Sequence, residues 1–155
     1  VEITSLDPVR IRVAGRTKAV LNTFGEELMV GNVDEAIKQI HDQFGYNICE
    51  YTGTTIINNT INNLGHHEWV MELDLYPDDI NKFIEIFDKK LCELNSDYEA
   101  KRKGNIVLSL PIVNIVPVGT FYKWMKSRNK LGGQNKVPRL REQNDIVEEL
   151  KNLTE

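Results

Sequence analysis

Hydrophobic and polar positions along this chain follow two rhythms, and their order predicts an architecture. Residues 9–13 alternate with the period of a strand. Val20 and Leu21 on one side, and Leu28 and Met29 on the other, flank Asn22-Thr23-Phe24-Gly25, so residues 19–30 read as a hairpin. Asn32 with Glu35 three residues later is a capping-box-like helix start. Val33, Ala36, Ile37, Ile40 and Phe44 form that helix's apolar face, and Gly45 stops it. Residues 46–57 are β-branched and strand-like, and the polar run 58–65 reads as a loop, a hairpin tip free to move. Residues 67–75 then alternate, with Trp69, Met71, Leu73 and Leu75 on one side and Glu68, Glu72 and Asp74 on the other. This predicts a strand with one wet face.

The longest helix starts at Pro77-Asp78-Asp79, where proline and acids suit the first turn. Its stripe of Ile80, Phe83, Ile84, Phe87, Leu91 and Leu94 is core packing, with no chemistry assigned to it. Residues 96–104 read as a charged connection, and 106–116 as a strand that Pro111 bends or confines to an edge. Thr120 can cap a short helix through Asn129, with Phe121, Trp124 and Met125 facing inward and Gly132-Gly133 ending it. A last helix carries Ile146, Val147, Leu150 and Leu153. This order predicts an α+β fold: a small mixed sheet with a hairpin, packed by three to four helices.

Residues 131–140 break both rhythms. Leu131-Gly132-Gly133-Gln134-Asn135-Lys136-Val137-Pro138-Arg139-Leu140 has no apolar period, so packing alone does not account for it. Two glycines free the backbone, Pro138 stiffens it, and Lys136 stands between them at a loop tip. Between positions 123 and 141 lie seven basic residues (Lys123, Lys126, Arg128, Lys130, Lys136, Arg139, Arg141) and no acidic one. The chain has 19 basic and 23 acidic side chains, leaving 12 against 23 elsewhere. A local charge of about +7 on a molecule otherwise near −11 is an electrostatic funnel for an anion. The plainer alternative is a solvated basic helix followed by an ordinary loop.

The totals narrow the classes. At 155 residues, 41% hydrophobic and 27% charged, one globular domain with its own core is expected. A net charge of −4 argues against general nucleic-acid or membrane-surface binding. The longest apolar run, 106–118, is interrupted and falls short of the roughly 20 residues of a membrane span. No signal peptide is visible, so a cytoplasmic location is the expectation. Cys49 and Cys92 have no metal-site spacing. His66-His67 looks like a ligand pair, but at the start of a strand the two point to opposite faces, and no metal is expected. The chain begins with Val1 rather than Met, which is read as the start of an excised piece of a longer protein.

Two motifs carry a resemblance. Gly15-Arg16-Thr17-Lys18, followed by Leu21-Asn22-Thr23-Phe24-Gly25-Glu26-Glu27 and a helix, resembles the hinge and hairpin of adenylate-forming enzymes. Gln134-Asn135-Lys136-Val137-Pro138-Arg139 resembles their closing motif, with its lysine-hydrophobe-x-arginine spacing intact. Tyr98-Glu99-Ala100-Lys101-Arg102, Val116-Pro117-Val118-Gly119-Thr120-Phe121 and residues 132–139 look more specifically like the C-terminal region of the auxin-responsive acid–amido synthetases and their bacterial relatives. The likeness covers essentially the whole chain. It implies a lid domain over residues 15–155, with 1–14 as the end of a hinge-proximal strand or linker. The large N-terminal adenylation domain is then the partner. Thr52-Gly53-Thr54-Thr55 imitates a phosphate loop but falls within an expected strand, and is read as coincidence.

What the resemblance implies for chemistry is a carboxylic acid activated by ATP with Mg2+ to an acyl-adenylate, then attacked by an amine. Lys136 would offset the repulsion between carboxylate and triphosphate. A lysine point charge is worth about 4 kcal/mol at about 4 Å with an effective dielectric near 20. Arg16 would contact the nucleotide, its alternative being a surface arginine at a strand end. Lys18 would be the swivel residue, and Gln134 and Arg139 would bind the nucleotide or position the loop. An acyl-CoA ligase lid, with a thiol as second nucleophile, stays open. So does a non-catalytic module whose basic helix holds an acidic protein or RNA.

Overall fold

The computed structural model describes residues 2–12, 19–57, 64–132 and 135–154. At its centre lies a four-stranded mixed sheet in the order β7-β6-β5-β8, formed by β5 (Ile48–Ile57), β6 (Gly65–Leu73), β7 (Ile112–Pro117) and β8 (Leu140–Arg141). β5 and β6 are antiparallel, while β7 and β8 run parallel to β6 and β5 respectively. Two small antiparallel hairpins precede the sheet: β1 (Glu2–Leu6) with β2 (Val9–Arg12), and β3 (Val20–Leu21) with β4 (Leu28–Met29).

Helices cover both faces of the sheet. On one face, Val33, Ala36 and Ile40 of α1 (Val30–Phe44) and Phe83, Phe87 and Leu91 of α2 (Ile80–Leu94) close over Trp69 and Met71. On the other, Phe121, Trp124 and Met125 of α4 (Thr120–Ser127) and Ile146, Val147 and Leu150 of α5 (Asp145–Asn152) close over Val70. The short helix α3 (Ser96–Arg102) adds Tyr98 to the first core. Gly53 is a glycine for a steric reason: a Cβ there would stand 2.4 Å from ring carbons of Trp69. Gly65 lies beneath Phe24 in the same way, its ring 2.3 Å from where a Cβ would be.

The α+β class and the mixed sheet with a hairpin agree with the pattern reading, and five helices lie among the described residues rather than three or four. The fifth is α3, where a charged connection was expected: Asn95 caps it by accepting from the Tyr98 N–H at 2.8 Å. The largest correction concerns β6. Every residue of this strand is buried, including Glu68 and Glu72 of the side expected to face water, while Asp74, just beyond the strand, is exposed. Glu68 meets Lys151 at 2.9 Å and Asn114 Nδ2 at 3.0 Å. Glu72 accepts the Phe121 backbone N–H at 3.0 Å, capping α4 with a carboxylate at its positive end.

Smaller corrections follow from backbone chemistry. Helix α1 starts three residues early, because Asn32 reaches back and accepts the Met29 N–H at 3.0 Å from inside the first turn. Asp79 caps α2 by accepting the Lys82 N–H at 3.0 Å, which leaves Pro77 outside the helix. Thr120 donates to Pro117 O at 2.7 Å, and Gly119 is the residue before the first turn of α4. That helix ends at Ser127, before the positive φ of Asn129 and well short of Gly132. Leu75 and Leu153 are exposed, and Ile106 precedes β7 rather than opening it. No helix among the described residues is long and apolar enough to cross a membrane.

Candidate functional site

The topology brings β3, which opens the hairpin of the first motif, beside β8, which follows the lysine segment. The segment leading into β8 is fixed at several points. Val137 packs against the core under α4 and α5. Thr52 Oγ1 donates to Pro138 O at 2.7 Å, and the Gly53 N–H donates to Arg139 O at 2.9 Å. Leu140 then enters the opposite core, so within four residues the chain is tied into both layers.

The Arg139 side chain adds further points. Its guanidinium lies over the Tyr51 ring, 4.3 Å from the centroid. Nη2 is 3.1 Å from Glu50 Oε1, and Nη1 is 3.4 Å from Asp34 Oδ1. Tyr51 is itself buried, and its hydroxyl donates to the same Asp34 oxygen at 2.8 Å. Burial, then the Asp34 carboxylate, push the Tyr51 hydroxyl well above the usual phenol range, so it remains a donor. A planar fork stacked on a ring and shared between two carboxylates is a geometry that lysine cannot reproduce.

Lys136 stands apart from this network. It is exposed and forms no hydrogen bond or ion pair among the described residues. The basic segment divides the same way throughout. Arg128 pairs with Glu149, Arg139 with Asp34 and Glu50, and Arg141 with Asp145 at 3.4 Å. Lys123, Lys126, Lys130 and Lys136 are exposed and without an ion pair among the described residues. The arginines are therefore spent on architecture, and the lysines are the uncompensated charge.

Of the residues singled out from sequence, Arg16, Lys18 and Gln134, with Gly133 of the loop, lie outside the described residues. Thr52 and Gly53 form part of β5 and support the lysine segment from below, in keeping with the reading of that run as no phosphate loop. No cluster able to hold a metal ion occurs among the described residues. Burial raises the pKa of the Cys92 thiol to about 11, and desolvation with the nearby Asp74 and Glu72 carboxylates also raises that of Cys49.

Sequence reasoning missed the Arg139 socket, because Asp34, Glu50 and Tyr51 come from two elements and share no local pattern. It also missed a buried carboxylate–histidine hydrogen bond. Glu26, in the β3–β4 turn, meets His67 Nε2 at 2.9 Å with both side chains almost fully buried. The other Glu26 oxygen accepts the Phe24 N–H at 2.7 Å. Burial works against the charged carboxylate, but the hydrogen bonds from His67 and the turn outweigh it and hold its pKa below the ordinary value. The His67 ring stacks on Tyr98, whose hydroxyl donates to Asp88 at 2.7 Å; Arg102 binds Asp88 through two nitrogens.

The sequence pattern of the GH3 family C-terminal domain matches residues 31–145, which is 115 of the 155 positions. The chain belongs to this family. The GH3 match runs from within α1 to the first residue of α5. It therefore contains Lys136 and the whole Arg139 socket, while Arg16, Lys18 and Glu26 precede it. Among solved structures, a GH3.15 acyl acid amido synthetase superposes with a TM-score of 0.69 at 19% identity, covering 89% of this chain and 26% of that one. An AtGH3.15 acyl acid amido synthetase in complex with 2,4-DB gives a TM-score of 0.69 at 18% identity, covering 91% of this chain and 26% of that one. At these identities the likeness is one of fold. This GH3 chain spans about a quarter of the length of the two synthetases. No curated protein sequence matches it.

Proposed function

We propose that this chain acts as the C-terminal lid of an ATP-dependent acid–amino acid amido synthetase. The observation that carries the reading is Lys136: an exposed cation, uncompensated among the described residues and immediately before the fixed Val137–Arg139 segment, in a GH3 C-terminal domain. In the proposed reaction a substrate carboxylate attacks the α-phosphorus of ATP, forming an acyl-adenylate and releasing pyrophosphate. An amine then attacks the acyl carbon, forming an amide and releasing AMP and a proton.

Carboxylate and triphosphate repel each other until the first bond forms. A mobile ammonium that reaches both lowers that barrier, and the gain is greatest where charge accumulates on the α-phosphate. Arg16 is assigned to the nucleotide side, Gln134 to the same loop and Lys18 to the swivel. ATP and its Mg2+ are held mainly by the large N-terminal adenylation domain, which also supplies the acid and amine pockets.

The test uses the full-length enzyme with ATP, Mg2+, a panel of carboxylic acids and a panel of amino acids. Amide, AMP and pyrophosphate in equal amounts are expected. ADP and phosphate would overturn the adenylate chemistry. A thioester formed with coenzyme A in place of the amide would move the chain to the acyl-CoA ligases. No turnover with any acid, together with tight retention of RNA or an acidic protein, would make it a binding module.

A further inference from the structure

The spacing between Lys136, Val137 and Arg139 has a physical meaning in this fold. Val137, partly buried, packs against the core beneath α4 and α5, while Arg139 is held on the opposite side by Tyr51, Asp34 and Glu50. Backbone bonds from β5 fix Pro138 and Arg139 between these points. Three residues of chain reach at most about 10 Å, so the Lys136 backbone is confined to a small volume beside the β5–β8 edge. Among the described residues no hydrogen bond or ion pair ties down the lysine side chain itself, which leaves its own rotamers to search.

We propose that Tyr51, Asp34 and Glu50 are positioning residues for Lys136, acting through Arg139. Arg139 is accordingly a structural fork rather than a nucleotide ligand. Both of its carboxylate partners and its aromatic platform belong to this domain, so its charge is already compensated before any anion arrives. Tyr51 orients Asp34 through its hydroxyl, and Asp34 and Glu50 hold the guanidinium over the ring. Loosening this socket enlarges the volume that Lys136 samples and lowers the fraction of time it spends in the productive place. This rests on the reading of Lys136 as the lysine of the adenylation step.

The experiment uses the full-length enzyme and measures pyrophosphate exchange, aminolysis of a supplied acyl-adenylate, and thermal stability. The variants are Arg139→Ala, Arg139→Lys, the double variant Asp34→Asn with Glu50→Gln, Tyr51→Phe, and the combination of the double variant with Arg139→Ala. Positioning predicts that Arg139→Ala lowers kcat for adenylation roughly tenfold or more, with KM for ATP and the aminolysis rate nearly unchanged. Arg139→Lys should fail to rescue. The carboxylate double variant should show the same split and add nothing on top of Arg139→Ala, because all of these act through one contact. Tyr51→Phe should give a milder form of it.

A raised KM for ATP in Arg139→Ala, with normal kinetics in the carboxylate double variant, would overturn the proposal and make Arg139 a nucleotide ligand. Equal loss of both half-reactions in step with thermal stability would overturn it in favour of a general folding role. Lys136→Ala serves as the control. If it leaves adenylation intact, the lysine reading itself fails. If it slows adenylation while the socket variants do not, the reading stands and only the positioning inference falls.

Discussion

Several single residues in this domain have environments that their type alone does not announce. Glu26 sits in a hairpin turn, where a glutamate would ordinarily face water, yet it is buried against His67. Its folded pKa lies below the ordinary 4.5, so the ionised form stabilises the fold above that value. This contribution should fade as pH falls from about 4.5 through the lower folded pKa. Chemical denaturation between pH 3 and 7 checks it: Glu26→Gln should be less stable near neutrality and lose less on acidification than the parent. Gly53 makes a second case, because no Cβ fits beside the Trp69 ring. Gly53→Ala should destabilise the fold by about 1–3 kcal/mol, read from the denaturation midpoint, with Ala substituted at the open Gly31 as a control.

Among the elements, those with one strongly apolar stripe were legible and those with shared faces were not. Helix α2 follows its periodic residues from Ile80 to Leu94, and the β3–β4 hairpin falls on its turn sequence. Alternation misled at β6. Its acidic residues are a salt-bridge partner and a helix cap, and neither α4 nor α5 announces in its own sequence that it will cover that face. The lysine segment was legible as a loop from its two glycines and its missing period. Its anchoring was not, because Pro138 and Arg139 find partners 86 and 105 positions away on the chain, and Val137 packs beneath two helices that only the folded sheet brings together. The same distinction predicts amide exchange: the Asn135 and Lys136 amides should exchange orders of magnitude faster than those of Phe83, Phe87 and Leu91. Comparable protection in both groups would mean that the lysine is held rather than free.

At the scale of the whole molecule, two helical layers enclose separate cores on either face of one sheet, and the chain has the apolar content to close both unaided. The 155-residue chain by itself should unfold cooperatively in a thermal scan. It should leave ATP–pyrophosphate exchange at background, since the proposed adenine, magnesium and acid sites belong to the larger enzyme. Robust exchange by this chain alone would contradict the proposed role as a lid.

The most direct measurement takes Lys136→Ala in the full-length enzyme and follows the two half-reactions separately. Only adenylation brings carboxylate and triphosphate together, so only there is the lysine charge worth more in the transition state than before it. The expected result is a fall of roughly 10²–10³ in pyrophosphate exchange, with aminolysis of a supplied acyl-adenylate nearly unchanged. An equal fall in both steps, or no fall in either, would contradict the assignment of Lys136 to the chemistry.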